Sequence, residues 1–405
     1  MLWPVPRQPE FEALFPAVPT DRLEPGIAIL LAMPFLTVGG AEAIVSQYCR
    51  RLRERGGFRF IVVTTITPEP CQSDTTHWFE DSASEIFHLP RILDEARWPD
   101  FLAYLVRSRS VDILWLVGSA FVYSQLPRLK EGTPSLKIVD FLFNPIGHTG
   151  GFLRFSHLID RVITEHQELK EWLMARGVGE NAVCVVPNGV DLERYRPRAR
   201  ASWRAARGLP EAGAPRFVAA YVGRLSHEKA PDLFVQVADR LREHQGVEFI
   251  LCGSGPMEAE LRESIQERRL TETIHMLGVV ETTKYLSCCD VLVVCSRLDG
   301  RPNVVMESLA MGVPVIASRV GGIPDMLEDG VNGILCDSGD IDGFASAVRR
   351  LADNPAYLHK LRLSTRGWAE LHLDLNQSIG RIESIFRDLV KYSAETAATQ
   401  PGLNR

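Results

Sequence analysis

The sequence predicts an α/β protein built from two doubly wound domains, and three observations support this prediction. Strand-like apolar runs alternate with helical patterns along the chain, which is typical of a parallel sheet covered by helices. A chain of 405 residues can form two domains, each with its own core. The stretch 291–322 has the pattern of a strand, a loop, a helix and a second strand, with polar residues in its first turn.

The composition is that of a globular protein, with 45% hydrophobic and 24% charged residues. A formal net charge of −6 gives no global basic field, so we expect no nucleic acid partner. The eight cysteines form no CxxC pair, which indicates small core residues in a reducing compartment. The N-terminus lacks a signal-peptide layout and no run is long enough for a membrane helix, so the sequence predicts a cytoplasmic protein.

The N-terminal half begins with a proline-rich arm over 1–24, which we expect to be loosely ordered. The apolar run 27–36 predicts the first strand, and Gly39 and Gly40 turn it into a helix. Two glycines at a helix N-terminus allow an anion to approach the backbone, although a plain tight turn explains them equally well. Further strands are predicted at 60–65, 111–118 and 137–144.

Basic residues cluster at the end of the helix that follows Gly40. They are Arg50, Arg51, Arg53 and Arg55, and Arg59 follows the helix. A basic last turn complements the helix dipole, and we favour this interpretation. The alternative is a docking patch for anionic lipid, which would place the protein peripherally at the inner face of the membrane.

A histidine, His148, lies in the loop after the strand 137–144. That position is the carboxyl end of a strand, where parallel sheets bind their ligands. A functional histidine and a plain turn residue are equally compatible with this position.

The turn Pro187-Asn188-Gly189 and the polar stretch 194–216 predict the domain junction. We place the N-terminal domain at 25–195 and the C-terminal domain at 196–367. Strands at 216–223, 247–253 and 274–278 restart the alternation in the second half. A last helix over 368–392 is predicted to pack back on the N-terminal domain, and 393–405 forms a tail.

Two cations follow the first strand of the second half. The chain leaves this strand at Gly223, and Arg224 and Lys229 come before the next helix. A planar guanidinium and an ammonium at a βα turn suit a diphosphate, while a solvated charged turn is the structural alternative. One such cation about 4 Å from a phosphate charge is worth roughly 4 kcal/mol before desolvation.

The next strand ends in Gly253-Ser254-Gly255-Pro256. This is not a dinucleotide fingerprint, because Glu258 stands where the third glycine is required. A dinucleotide-dependent oxidoreductase is therefore a poor interpretation. The two glycines can still bring backbone against a phosphate or a ribose.

The loop in 291–322 carries the densest polar chemistry. Pro302 is set to start a helix whose first residues, Asn303 and Val304, present unpaired N–H groups to a phosphate. Glu307, one turn into the helix, can accept hydrogen bonds from a ribose diol, and Asp299 can accept them from sugar hydroxyls. Without the neighbouring motifs, Glu307 would be a surface carboxylate and Asp299 a turn former.

Five motifs occur in order, namely GGAE at 39–42, PNGVD at 187–191, GRLSHEK at 223–229, GSGP at 253–256 and the stretch 299–318. With these motifs the chain resembles the retaining glycosyltransferases of family four, which have the GT-B fold. The resemblance implies two Rossmann-like doubly wound domains facing a central cleft. It also implies a nucleotide-sugar donor held mainly by the C-terminal domain and a glycan or glycolipid acceptor approaching the N-terminal one.

The resemblance also assigns roles to single residues. The catalytic set that it implies is Arg224, Lys229 and His148. The implied donor-binding set is Gly39, Gly40, Gly223, Gly253, Gly255, Gly278, Val279, Val280, Asp299, Gly300, Arg301, Pro302, Asn303, Val304 and Glu307. In this scheme the cations neutralise the diphosphate, Glu307 binds the ribose, and the main chain near Gly278 faces the base.

The chemistry implied by the resemblance is transfer with retention from a UDP- or GDP-type donor, without a protein nucleophile, a cofactor or a metal. The pattern D-x-D at Asp340 and Asp342 holds a metal in another class of sugar transferase, but here it precedes a helix, and we interpret it as an N-cap.

Two positions depart from the family pattern. Asp299 stands where the family usually has Glu, and its side chain is shorter by one methylene. The histidine of the N-terminal domain is matched either by His148 or by Asn144. These departures motivate an alternative function, a catalytically impaired nucleotide-sugar-binding or scaffold protein of the same fold.

Overall fold

The structure is a computed structural model, and it describes residues 9–17, 26–68, 73–145, 149–199, 202–206 and 216–398, with 392–398 as backbone only. The chain divides into two compact units. Unit 1 comprises Met1–Val186 and Ser378–Arg405, and unit 2 comprises Pro187–Gln377.

Each unit contains one parallel sheet. The strands of unit 1 are β1 (Ile27–Met33), β2 (Phe58–Thr64), β3 (Ala83–His88), β4 (Ile113–Leu116), β5 (Lys137–Leu142), β6 (Arg161–Thr164) and β7 (Val183–Val185), in the order β3-β2-β1-β4-β5-β6-β7. Those of unit 2 are β8 (Phe217–Val222), β9 (Val247–Cys252), β10 (Ile274–Gly278), β11 (Val291–Val294), β12 (Val315–Ser318) and β13 (Gly333–Cys336), in the order β10-β9-β8-β11-β12-β13. The strand order reverses once in each sheet, which confirms the doubly wound prediction.

Helices connect the strands in both units. They are α1 (Pro9–Leu14), α2 (Gly40–Arg55), α3 (Leu89–Ile92), α4 (Trp98–Ser108), α5 (Ala120–Gly132), α6 (Thr149–Phe155), α7 (Gln167–Met174), α8 (Trp203–Ala206), α9 (Pro231–Arg240), α10 (Glu258–Glu267), α11 (Thr282–Leu286), α12 (Asn303–Ala310), α13 (Ile341–Asp353), α14 (Pro355–His372) and α15 (Leu375–Ala398). Because helices cover parallel strands on both faces, strands such as β1, β2 and β9 are almost entirely buried and mostly apolar, without polar alternation.

In both units an aspartate carboxylate accepts a backbone hydrogen bond near the start of a strand. Asp112 accepts a hydrogen bond from the N–H of Ala28 at 2.8 Å, and Asp290 accepts one from the N–H of Val218 at 2.8 Å. In each case an aspartate next to the start of one strand accepts the second amide of the neighbouring strand. An apolar strand therefore begins at a buried sheet edge without leaving an unpaired donor.

Three predictions about the chain ends need correction. Part of the predicted arm is ordered, because α1 buries Phe11 against the rings of Phe101 and Tyr104. The predicted helix 368–392 is two helices, since α14 ends at His372 and Asp374 accepts the N–H of Asn376 at the start of α15. The predicted tail 393–405 is helical as far as Ala398. Residues 1–8 and 18–24 of the predicted arm lie outside the described residues.

We expect Asp290→Ala to destabilise unit 2 by about 3 kcal/mol, because it removes a buried carboxylate that also pairs with Arg362 at 2.7 Å. Differential scanning calorimetry would measure the loss. Asp342→Ala is the matched control, since its pair with Arg240 is exposed and contributes little. Equal shifts of the melting temperature in the two variants would contradict the assigned role of Asp290.

Candidate functional site

Two loops meet at the point in unit 2 where the strand order reverses. One follows β8 and the other follows β11, and these strands are neighbours in the sheet. The backbone N–H groups of Arg297 and Leu298 donate to the carbonyl of Glu228 at 2.8 and 3.2 Å. The Arg297 guanidinium binds both oxygens of Asp232, at 3.0 and 2.6 Å. The two loops therefore form one surface at the position where open parallel sheets bind ligands.

Lys229 and Asp299 meet on this surface. The Nζ of Lys229 lies 2.7 Å from Oδ1 of Asp299, and Ser296 Oγ donates to Oδ2 of Asp299 at 2.9 Å. The Asp299 side chain is 6% exposed, whereas that of Lys229 is 31% exposed. Two residues predicted from separate motifs are thus brought together, and the carboxylate fixes the position of the ammonium.

Arg224 lies at the start of the same surface. Its side chain is exposed, and it makes no hydrogen bond or ion pair with the part of the chain that the structure describes. Its backbone carbonyl accepts a hydrogen bond from the Tyr221 hydroxyl at 2.8 Å. The backbone is therefore fixed while the guanidinium is available to an anion.

The two glycines after β9 have a structural reason that the sequence did not show. Gly253 has a φ of +140°, and a Cβ there would lie 1.8 Å from the carbonyl oxygen of Gly223. A Cβ on Gly255 would lie 2.5 Å from the carbonyl oxygen of Leu225. Close packing of neighbouring loops therefore accounts for Gly253 and Gly255. A Cβ on Gly278 would meet open space, but its φ of +69° favours glycine, and Val279 beside it is 75% exposed.

Helix α12 begins at Asn303, one residue after Pro302, which confirms the predicted helix start. No side chain caps its first turn at the N-cap position. The loop before it packs against the backbone at Gly321, a residue that sequence reasoning missed. A Cβ on Gly321 would lie 1.8 Å from the Asp299 carbonyl oxygen, and the N–H of Gly322 donates to the carbonyl of Gly300 at 2.7 Å.

Glu307 lies one turn into α12, as predicted. It retains some exposed surface, but its carboxyl group is surrounded by protein atoms, and this burial raises its pKa to about 7. A hydrogen bond from Tyr195 and the charge of Arg194 act in the opposite direction. Burial, followed by the charge of Glu307, raises the pKa of Tyr195 above its usual range. Tyr195 was missed at the sequence level, although it follows the PNGVD motif by four residues.

Arg301 and Asn303 contact the PNGVD motif. The Nε of Arg301 donates to the backbone carbonyl of Asn188 at 3.4 Å, and the Asn188 amide donates to Oδ1 of Asn303 at 3.3 Å. Arg301 is 7% exposed and Asn188 is 1% exposed. The structure therefore gives Arg301 a buried protein partner, where the resemblance implied a donor contact. Val304 lies beside Asn303 and is partly buried.

In unit 1, Gly39 precedes α2 with an extended backbone, φ −159°, and Gly40 is the first residue of the helix. A Cβ on Gly39 would lie 2.3 Å from a carboxylate oxygen of Glu42, so Glu42 folds back over the turn. His148 lies outside the described residues, so its role stays a prediction. Asn144 is described, two residues after β5, and is partly buried.

The basic cluster near the end of α2 is largely engaged by unit 1 itself. Arg51 pairs with Glu54 at 3.2 Å, Arg55 pairs with Glu383 at 3.0 Å, and Arg59 is buried with its guanidinium on the carbonyl of Arg109. These contacts account for three of the five arginines by structure alone. Docking to anionic lipid stays a prediction.

Asp340 caps α13, because its Oδ1 accepts the N–H of Gly343 at 2.9 Å, which confirms the N-cap interpretation of the D-x-D pattern. Within the described ranges, no group of three or more His, Cys, Asp or Glu side chains is arranged to hold a metal ion. None of the described helices is both long enough and apolar enough to span a bilayer.

Two family models match the chain. A model described as Glycosyltransferase Family 4 matches residues 38–194, and one described as Glycosyl transferases group 1 matches residues 216–354. Together they match more than half of the chain.

The chain is also similar to curated glycosyltransferases. It is 32% identical over 239 residues to a D-inositol 3-phosphate glycosyltransferase of Saccharomonospora viridis, which is 53% of this chain and 54% of that protein. It is 29% identical over 184 residues to a glycogen synthase of Mycobacterium tuberculosis, which is 44% of this chain and 42% of that protein. The chain thus spans about half the length of the curated relatives it matches.

A solved structure shares the fold. Anabaena Alr3699/HepE in complex with UDP and glucose matches with a TM-score of 0.73 and 17% identity, over 89% of this chain and 100% of that one. This likeness confirms a GT-B fold with two Rossmann-like domains.

The raised pKa of Glu307 predicts how stability depends on pH. Between its ordinary pKa and about pH 7, the folded chain binds a proton on Glu307 that the unfolded chain has released, so unfolding becomes easier as pH rises through this window. Between about pH 5 and pH 7, the melting temperature should therefore decrease less in Glu307→Gln than in the wild type. Calorimetry across this pH range would measure the difference. Burial also raises the pKa of Asp140 in unit 1 to about 7. Some decrease of the melting temperature with pH should therefore remain in Glu307→Gln.

The exposed Glu267 provides the control, and Glu267→Gln should keep the wild-type pH slope. An identical slope in Glu307→Gln and the wild type would show that the Glu307 carboxyl is not desolvated.

Proposed function

Because the chain belongs to the family 4 glycosyltransferases of the GT-B fold, we propose that it moves a sugar from a nucleoside diphosphate sugar to an acceptor. The acceptor is a glycan, a lipid-linked sugar or a small molecule. A UDP- or GDP-type donor fits the resemblance, and the UDP bound to the structurally similar Anabaena protein makes a UDP-sugar the first donor to test.

The observation that carries the proposal is the convergence of four groups at the switch point of unit 2. Lys229 and Asp299 lie 2.7 Å apart on one loop surface, and α12 begins four residues after Asp299. Glu307 lies one turn further along α12. The surface therefore offers a cation and a helix N-terminus, which suit a diphosphate, and two carboxylates, which suit the hydroxyl groups of a sugar and of a ribose. These are the parts of a nucleoside diphosphate sugar.

In this proposal Lys229 and Arg224 bind the diphosphate. Asp299 accepts hydrogen bonds from the donor sugar, the N–H groups from Gly300 to Val304 bind sugar and phosphate, and Glu307 accepts from the ribose. The backbone at Gly278, Val279 and Val280 faces the base. Gly253 and Gly255 keep the loops close enough together for these contacts, and Gly223 begins the loop that carries Arg224.

Unit 1 contributes the acceptor side of the reaction in this proposal. Gly39 and Gly40 provide N–H groups at the start of α2, and either His148 or Asn144 contacts the transferred sugar. These assignments follow the family pattern.

The chemical step follows from where charge develops. As the bond between the anomeric carbon and the diphosphate breaks, negative charge grows on the leaving oxygen. Lys229, held by Asp299, is preorganised to stabilise this charge, and the exposed guanidinium of Arg224 is available to add to it. The Lys229 ammonium can bind the diphosphate and keep its contact with Asp299, because it carries three N–H donors. We propose that the acceptor oxygen bonds to the anomeric carbon from the same face as the bond to the diphosphate breaks, and that its proton passes to the departing diphosphate oxygen. The anomeric configuration is then retained without a protein nucleophile or a metal.

We expect Lys229→Ala to lower kcat by about 10²-fold or more, which is the scale of losing one preorganised donor to a developing anion. A thermal-shift screen of nucleotide sugars would first identify the donor, and release of nucleoside diphosphate would then be measured. Lys360→Ala removes an exposed lysine from α14 and should keep the wild-type rate. A full transfer rate in Lys229→Ala would refute the assigned role, and tight donor binding by the wild type without any turnover would favour the scaffold function.

A further inference from the structure

The chain enters unit 2 through residues 187–195, which we call the linker segment. This segment has no regular secondary structure beyond a single bridge at Val190, yet much of it is buried. Asn188 is 1% exposed, Val190 is 5% exposed and Tyr195 is 8% exposed. A loop that is buried to this extent must have its polar groups satisfied by specific partners, and those partners identify what the loop holds.

The first partner is the start of α12. The Asn188 side-chain amide donates to Oδ1 of Asn303 at 3.3 Å, and the Asn188 carbonyl accepts from Nε of the buried Arg301 at 3.4 Å. Asn303 is the first residue of α12, and Arg301 belongs to the loop that leads into it. The linker segment therefore contacts both sides of the helix N-terminus to which we assign the phosphate.

The second partner is the middle of α12, where the Tyr195 hydroxyl acts on the Glu307 carboxyl and opposes the rise of its pKa that burial causes. The third is the end of α12. Nη1 of Arg366 on α14 donates to the carbonyl of Tyr195 at 2.9 Å and to the carbonyl of Ala310, the last residue of α12, at 2.7 Å. The helix is therefore held to the linker segment at its beginning, middle and end.

The linker segment is itself fixed by the second passage of the chain between the units. The N–H of Val190 donates to the carbonyl of Leu373 at 2.8 Å, and the N–H of Leu375 donates to the carbonyl of Val190 at 3.2 Å. A Cβ on Gly189 would lie 2.5 Å from the backbone nitrogen of Leu375, so only glycine allows this approach. Both crossing segments are thus joined next to the residues that hold α12.

We propose that the linker segment positions α12 for donor binding, with Asn188 and Tyr195 as positioning residues that act through Asn303 and Glu307. The proposal rests on the proposed function, because it concerns the same donor site. The donor contacts on α12 come from its first turn and from one carboxylate, so a displacement of the helix by a fraction of an ångström weakens all of them together.

The environment of Glu307 makes the role of Tyr195 measurable. The titratable and charged groups that act on the Glu307 carboxyl are Tyr195 and Arg194. Arg366, from the packed helix α14, is already bound to backbone carbonyls and to Glu370. Loss of the Tyr195 hydroxyl removes a hydrogen bond to the ionised form of Glu307, so the pKa of Glu307 rises further. A ribose diol donates its hydrogen bonds best to the ionised carboxylate. The pH at which nucleotide affinity reaches its full value should therefore be higher in the variant than in the wild type.

The test uses Tyr195→Phe and Asn188→Ala in the full chain. UDP and GDP are the probes, and their affinity is measured by isothermal titration calorimetry from about pH 6 to pH 9. We expect a loss of affinity of about tenfold for Asn188→Ala and about threefold to tenfold for Tyr195→Phe near neutral pH. In Tyr195→Phe the loss should shrink as pH rises, which a purely structural defect would not produce.

Matched controls come from the same unit. Tyr285→Phe removes a hydroxyl from another tyrosine in the same apolar cluster, 7% exposed, and Asn332→Ala removes another fully buried asparagine. Both controls should keep the wild-type affinity for the nucleotide, even where they lower the melting temperature. Amide hydrogen exchange over 305–310 is measured in all four variants without any ligand, and it should accelerate only in Tyr195→Phe and Asn188→Ala.

Wild-type nucleotide affinity and wild-type exchange in both linker variants would overturn the proposal. Equal losses in the linker variants and their controls would overturn it as well, because the effect would then be general destabilisation. If the wild type binds neither UDP nor GDP nor any nucleotide sugar, the proposed function fails. The exchange measurement still decides in that case whether the linker segment positions α12.

Discussion

The Arg297 side chain joins the two loops on which the candidate donor site depends. Its bidentate contact with Asp232, together with the two backbone hydrogen bonds to the Glu228 carbonyl, sets the loop after β8 against the loop after β11. A bidentate pair fixes orientation as well as distance. Because these contacts join the two loops, they also fix the position of the Lys229–Asp299 pair relative to the start of α12.

Much of the fold could be predicted from sequence, because apolar runs in parallel sheets are long and continuous. β3 and β13 were missed. β3 is an edge strand that is only partly buried and carries Ser84 and Glu85, so it lacks the apolar run of a central strand. The start of α12 was predicted correctly because Pro302 fixes it locally. The break between α14 and α15 was missed because it depends on Val190, which is distant in sequence.

The candidate site was predicted less completely than the fold. The sequence singled out residues whose chemistry is visible in their own side chains, such as Lys229, Asp299 and Glu307. Those that act through a distant backbone were not, because no local pattern reveals that Gly321 lies under Asp299 or that Tyr195 reaches Glu307. For Gly253 and Gly255 the structure gives a steric reason, the packing of one loop on another, and their part in donor binding stays a prediction.

The contact between Lys229 and Asp299 also has a consequence for the speed of encounter. In the empty site the ammonium faces a carboxylate 2.7 Å away, so the pair presents almost no net charge at long range. The exposed Arg224 adds one positive charge to this surface, and the nearby Glu228 carboxylate interacts with it and offsets it, in a chain whose formal net charge is −6. An anionic donor should therefore associate at a rate that depends only weakly on ionic strength, and discrimination between donors should lie mainly in how slowly they dissociate.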